Sequence, residues 1–380
     1  MIIYLQNLYI HHVGTMSKRK YYDFFDDEAL YPDAVVYIIV SPRGVGKTYG
    51  VLDGARVRGK KIIYMKRTID DVNTICTSDE LADINPYKPI NRDKGCKVIP
   101  QRLKKGLGYF KDISCGEDDA YLVAYLAALN ALKTIRGVDF SDADYCVLDE
   151  FVPTIGDNNV KRKPGASEGD QLLDCYMTFE RDREDRTDID GNPLKPIKLI
   201  LLSNSDDIMS PIAETFEVVD IISEMSAKKQ RYYYDPDRLL MVHLITDEEY
   251  PVTDAQKRGI YATMKNTDWA RKAFGGAFVN NDFSQIDKKT IKHSRCIMSC
   301  KYKNKTIYVY ENYDNNHLYF CDIPHQTRVK YDFNKDSDRI RYLHFDNMTI
   351  RSAIMNNQTT FQTYSMYDLF INFVKKFALN

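Results

Sequence analysis

Ala34-Val-Val-Tyr-Ile-Ile-Val40 runs directly into Ser41-Pro-Arg-Gly-Val-Gly-Lys-Thr48, and this junction decides the fold. An unbroken apolar, mostly β-branched run is the pattern of a parallel strand buried on both faces. The eight residues after it fit the phosphate-loop pattern G-x-x-x-x-G-K-[ST], except that Ser41 stands in place of the first glycine. Gly44 and Gly46 allow the backbone conformations that turn successive N–H groups, with those of Arg43 and Val45, onto phosphate oxygens. Lys47 brings a point charge to the β- and γ-phosphates, and Thr48 offers its hydroxyl to magnesium. A helix starting here sets its positive end under the phosphates. The expected ligands are therefore ATP and Mg2+. A chance glycine-rich turn is the bland alternative, and the buried strand ahead of the loop weighs against it.

Three similar runs follow, Lys61–Met65, Tyr145–Leu148 and Lys198–Leu202. Helices are expected between them, including Ala120–Leu132 and Gly169–Arg183. Alternation of this kind predicts an α/β fold, a parallel sheet with helices on both faces. Tyr145-Cys-Val-Leu-Asp149-Glu150-Phe151 ends an apolar strand in two carboxylates. Asp149 is placed to hold magnesium, and Glu150 to orient and deprotonate the attacking water. Leu199–Ser205 (LILLSNS) ends another strand in Ser203 and Asn204; Asn204 is a candidate sensor of the γ-phosphate, or only the cap of the next turn. These features together read as a P-loop NTPase of the ASCE type, with a catalytic glutamate. Phe179-Glu-Arg-Asp-Arg-Glu-Asp-Arg186 alternates in charge, which usually marks a solvated helix face. In a ring of subunits it is also where an arginine could reach a neighbour's γ-phosphate. Arg181 is the first candidate, followed by Arg183 and Arg186, with Arg43 as a finger in cis. Lys133 and Arg136 are weaker candidates for DNA or trans contacts.

The chain has 380 residues, 44% hydrophobic and 28% charged, with a net charge of −1, as expected of a globular protein with several domains. From Ile291 onward there are 13 Lys+Arg against 8 Asp+Glu, which leaves 40 against 46 before it. That basic C-terminal part is compatible with phosphate contacts. No apolar run reaches the roughly 18–20 residues that span a bilayer, so no membrane association is expected. Residues 1–16 read as a disordered or non-native extension, because Met16-Ser-Lys-Arg-Lys looks like a true start. The eight cysteines have no metal-type spacing and read as reduced and buried. Asn158–Gly169 is expected to be a mobile loop. An ATPase domain is expected over 17–245 and a small helical linker or lid over 246–287, with short helices in Thr253–Phe274. An α+β domain over 288–380 follows: strands at Cys296–Tyr302, Thr306–Tyr313 and His317–Ile323, then an amphipathic helix at Met366–Phe377.

SPRGVGKT, VLDEF, FERDRE and LLSNS, in this order, resemble the motifs of the packaging ATPases of podovirus-type tailed phages, distant relatives of the large terminases. The resemblance runs from about Tyr31 to the C-terminus. It implies an ATP-hydrolysing motor that drives double-stranded DNA into a preformed capsid, working in the host cytoplasm and transiently at the portal vertex of the prohead. The implied partners are a homo-oligomeric ring, usually a pentamer, the portal, and in some cases a structural RNA ring. The RDRE string falls where the family has its arginine finger, which favours Arg181. The resemblance also implies a C-terminal domain like a degenerate RNase H-type nuclease. Its first strand, Arg295–Tyr302, lacks the aspartate an active nuclease would use, so docking or nucleic-acid binding is expected there, with Lys301, Lys303, Lys305, Arg328 and Lys330 as possible phosphate contacts. The alternatives are another DNA-dependent P-loop ATPase such as a helicase, and a non-motor nucleotide-binding or structural protein.

Overall fold

The computed structural model describes residues 21–79, 82–152, 167–181, 183, 185–187, 191–205, 207–246, 248–250, 260–264, 267, 278 and 281–377. The chain divides into two compact units, Met1–Val218 with Met225–Asn280, and Val219–Glu224 with Asn281–Asn380.

The first unit is built on strands β1 (Val36–Ser41), β2 (Ile62–Lys66), β3 (Val98–Lys104), β4 (Leu107–Asp112), β5 (Tyr121–Ala128), β6 (Tyr145–Asp149), β7 (Lys198–Asn204), β8 (Tyr232–Asp235) and β9 (Leu240–Leu244). They form one sheet in the order β3-β4-β5-β2-β6-β7-β1-β9-β8. The six strands from β5 to β9 are mutually parallel, and the β3–β4 hairpin and β8 run antiparallel at the two edges. Every interior residue of β1, β2, β6 and β7 is buried, so both faces are covered, as their unalternating apolar sequences require. Helices α1 (Phe24–Leu30), α2 (Lys47–Val57) and α3 (Ile69–Cys76) pack through Phe24, Val51, Leu52 and Val72 into the core with Tyr37, Tyr64 and Val147. On the opposite side-chain set, a helix at Glu168–Phe179 buries Leu172, Cys175 and Phe179. Ser167 begins that helix with a reciprocal capping box to Asp170.

In this sheet one sequence expectation is overturned and one feature is new. Ala120–Leu132 was expected to be helical, because leucine and alanine are good helix formers; Tyr121–Ala128 is instead a strand, hydrogen-bonded to both β4 and β2. The hairpin Val98–Asp112 escaped notice altogether. It turns at Lys105-Gly106, where Gly106 has φ +75° and a Cβ would meet Ile69 at 2.9 Å. Of the eight free cysteines, Cys146, Cys175, Cys300 and Cys321 are buried, but Cys115 is exposed. The expectations for residues 1–16, for most of Asn158–Gly169 and for most of Thr253–Phe274 lie outside the described residues; Ile260–Met264 is a helix. No helix among the described residues is long and apolar enough to cross a membrane.

The second unit has a five-stranded sheet made of β10 (Ser294–Tyr302), β11 (Lys305–Asn312), β12 (Leu318–Cys321), β13 (Val329–Asp332) and β14 (Thr359–Phe361), in the order β13-β10-β11-β12-β14. β10, β11 and β12 form an antiparallel meander, while β13 runs parallel to β10 and β14 parallel to β12. Phe320, Phe333, Phe361, Phe370 and Phe373 make the core, with Phe320 stacked on Phe361 at 4.2 Å and Phe333 edge-on to Phe373 at 4.8 Å. The amphipathic helix expected at Met366–Phe377 is two helices, Tyr364–Ile371 and Phe373–Phe377, and the first buries Tyr364, Met366, Tyr367, Asp368, Leu369 and Phe370. The break falls at Asn372, the C-cap of the first helix.

One buried cluster ties α1 to the sheet. His243 on β9 is 2% exposed; its Nδ1 lies 2.8 Å from Asp27 Oδ2 and its Nε2 3.4 Å from Glu249 Oε2. Tyr22 donates to the same Asp27 oxygen at 2.7 Å, and Tyr232 stacks on the imidazole at 4.1 Å. Burial by itself would lower the His243 pKa, but the hydrogen bonds to Asp27 and Glu249 and their charges outweigh it and raise it above 6.5. A raised native pKa stabilises the fold fully below the unfolded value, and that contribution is lost as pH climbs through the native one. The melting-temperature gap between the wild-type protein and His243→Gln should therefore be widest near pH 6 and narrow toward alkaline pH. A gap that stays constant from pH 6 to 9 would rule out a charged His243.

Candidate functional site

β1 ends at Ser41, in register with Asn204 at the end of β7, and β6 ends beside them at Asp149. Three neighbouring parallel strands thus bring their C-terminal ends to one place, the usual location of ligand sites in open α/β sheets. The loop between β1 and α2 contains Gly44 at φ +79° and Gly46 at φ +87°, conformations that side chains other than glycine rarely adopt. Val45 between them is buried, and its carbonyl accepts from Tyr22 N–H at 3.0 Å.

Lys47 opens α2 and is only 8% exposed. Its ammonium donates to Ser41 Oγ at 2.6 Å and to Asn204 Oδ1 at 3.1 Å. Ser41, the departure from the glycine pattern, therefore acts as a fixed acceptor, while its own hydroxyl donates to Pro42 O at 2.7 Å. Thr48 donates to Asp149 Oδ2 at 3.0 Å, and Tyr64 on β2 donates to the same oxygen at 2.9 Å. Burial, together with the nearby Asp149 and Glu150 carboxylates, pushes the Tyr64 phenol well above its ordinary range, so it remains a neutral donor. Lys66 Nζ lies 3.9 Å from that Asp149 oxygen.

Glu150 is exposed and sits at φ +58°, a strained conformation for a residue with a side chain. Arg67, directly after β2, holds this turn: its Nη2 donates to Glu150 O at 3.1 Å and to Phe151 O at 3.3 Å, and its Nε pairs with the Glu168 carboxylate at the helix start. Gly44, Gly46, Lys47, Thr48, Tyr49, Asp149, Glu150, Ser203 and Asn204 line a cavity of about 240 Å³. The donor set suits a polyphosphate. One carboxylate with one hydroxyl beside it suits a magnesium ion that keeps most of its water and takes its other ligands from phosphates. No group of three or more acidic, histidine or cysteine residues forms a protein-only metal cage among the described residues.

Tyr64, Lys66, Arg67 and Glu168 were not singled out from sequence; the signal was the Lys66-Arg67 pair closing the run Ile62–Met65. Three glycines spaced four residues apart were also overlooked. Gly46, Gly50 and Gly54 form a stripe along α2 in which a Cβ would meet the Tyr21 ring at 2.9 Å, Tyr22 O at 2.0 Å and the Phe25 ring at 2.6 Å. The chain ahead of β1 lies in this groove.

Several predicted residues lie elsewhere. Arg43 is exposed and does not line the cavity. Arg181 is exposed just beyond the helix Glu168–Phe179. Arg186 pairs with Asp139 at 3.0 Å. Arg183, a reserve candidate, is 6% exposed and donates to Lys195 O at 2.6 Å and Ser141 O at 2.7 Å, so it is an internal brace. Lys133 and Arg136 are exposed on and after the short helix Leu132–Ile135, outside the cavity lining. Lys301, Lys303, Lys305, Arg328 and Lys330 are exposed in the second unit. Arg183→Ala should cost about 2 kcal/mol of stability through its two lost charged hydrogen bonds, whereas Arg181→Ala should leave the melting temperature unchanged. Equal melting temperatures for the two variants would contradict the division.

No family model and no curated protein matches this sequence. Solved structures do. A chain of the bacteriophage Phi-29 viral genome packaging motor assembly aligns over 94% of this chain and 99% of its own, with a TM-score of 0.61 at 14% identity. The Phi-28 gp11 DNA packaging motor aligns over 95% of this chain and 98% of its own, with a TM-score of 0.52 at 15% identity. Over nearly its whole length, the chain therefore has the fold of phage DNA-packaging motor subunits.

Proposed function

We propose that this chain is a magnesium-dependent ATPase that drives double-stranded DNA into a preformed phage capsid. The observation that carries the reading is the junction of Lys47, Asn204 and Asp149 at the ends of β1, β7 and β6, in a chain that shares the motor fold along its length. β7 lies between the strand that feeds the glycine loop and the strand that ends in two acids, which is the arrangement of the ASCE class of P-loop NTPases. In this reading the loop N–H groups and Lys47 bind the β- and γ-phosphates. Thr48 and Asp149 hold magnesium, which supplies charge neutralisation to the phosphates. Glu150 aligns the attacking water and takes its proton, and Arg67 keeps its backbone turn in place. Asn204 exchanges its bond to Lys47 for one to the γ-phosphate. Arg181, exposed beyond its helix, reaches the neighbouring subunit's nucleotide in a ring, and Lys133 and Arg136 face DNA or that neighbour.

The second unit serves as a docking or nucleic-acid-binding module of degenerate RNase H type. Its first strand holds Lys301 in register with Asp332, which disfavours a metal-dependent nuclease there. The ring is a pentamer that meets the portal, with or without a structural RNA, in the host cytoplasm at the prohead vertex. A helicase would share the ATP chemistry, and a non-motor nucleotide-binding protein would share only the binding site.

Glu150→Gln tests the assignment. Turnover with duplex DNA should fall on the order of 10²–10⁴-fold while ATP binding persists. A Glu150→Gln protein with wild-type DNA-stimulated turnover would refute it.

A further inference from the structure

The cavity at the glycine loop, about 240 Å³, is smaller than the roughly 300–1,000 Å³ that takes a whole small molecule. Its lining by charged and hydroxyl groups suits a triphosphate, so the base must lie at its mouth. Successive residues in the first turn of α2 point about 100° apart. Lys47 turns to Ser41 and Asn204, and Thr48 turns to Asp149. Tyr49 comes next; it is half-buried and is the one aromatic residue among the described residues lining the cavity. Its ring pairs with Tyr21, centroids 5.4 Å apart and planes inclined by 31°. Tyr21 is fixed in turn, because its ring lies against Gly46 and the next residue, Tyr22, donates its N–H to Val45 O within the loop. An aromatic pair is thus anchored to the glycine loop, with Tyr49 lining the cavity.

We infer that Tyr49, steadied by Tyr21, is the platform on which the nucleobase of the bound triphosphate stacks. The inference rests on the phosphate-loop reading and adds the second half of the nucleotide to it. Stacking engages the ring face rather than its hydrogen-bonding edge, so it is tolerant of base identity. The bland alternative is that Tyr49 only packs against the core of the first unit, whose rim it touches.

Calorimetric titration of the full chain with ATP, GTP and inorganic tripolyphosphate separates the two. Tyr49→Ala should weaken ATP and GTP roughly tenfold and leave tripolyphosphate unchanged, and Tyr49→Phe, which keeps the ring, should restore both nucleotides. Parallel losses for tripolyphosphate and ATP, or no loss for ATP, would overturn the inference while leaving the loop standing. Lys47→Ala should weaken all three ligands; if it binds them like the wild-type protein, the phosphate-loop reading falls and this inference with it.

Discussion

A buried ammonium must be met by acceptors, and the acceptors that meet Lys47 organise the whole first unit. Ser41 and Asn204 come from the ends of β1 and β7, so those strands must be parallel neighbours in register. β6 then lies on the far side of β7 and delivers Asp149 to Thr48. The ammonium proposed to bind a phosphate donates to the amide proposed to sense it. On the proposed reading, ligand binding and the Lys47–Asn204 bond would compete for one group, a simple physical basis for coupling nucleotide state to β7.

A second constraint is the groove on α2. Side chains at Gly50 or Gly54 would collide with Tyr22 and Phe25, so the glycines admit the chain ahead of β1 directly against the helix that carries Lys47. The His243–Asp27–Tyr22 cluster fastens the other side of that segment to β9. The glycine loop is thus held between its strand, its helix and a preceding strap. Gly44 and Gly46, both at positive φ, supply the left-handed backbone that the path of the loop requires.

Much of this was legible because the decisive signals are local and chemical. The buried runs at β1, β2, β6 and β7 read correctly, since unalternating β-branched sequence has few other uses. Lys47, Thr48, Asp149 and Asn204 were named from motifs and do converge. β5 was misread because its leucines and alanines favour a helix locally, and only pairing with β4 and β2 makes it a strand. Arg181 and Arg183 are indistinguishable in a charge-alternating string; the carbonyls that hold Arg183 belong to Lys195 and Ser141, 12 and 42 residues away and outside the string. Arg67 and Tyr64 escaped for the same reason, since their partners lie about 85 residues further along.

The central claim is a ring motor whose sites are completed by a neighbour and engaged by duplex DNA. ATP turnover per subunit, measured across protein concentrations with and without blunt double-stranded DNA, tests it most directly. The account predicts turnover that rises with protein concentration and again when duplex is added. Turnover per subunit that ignores concentration and responds only to single strands would contradict it.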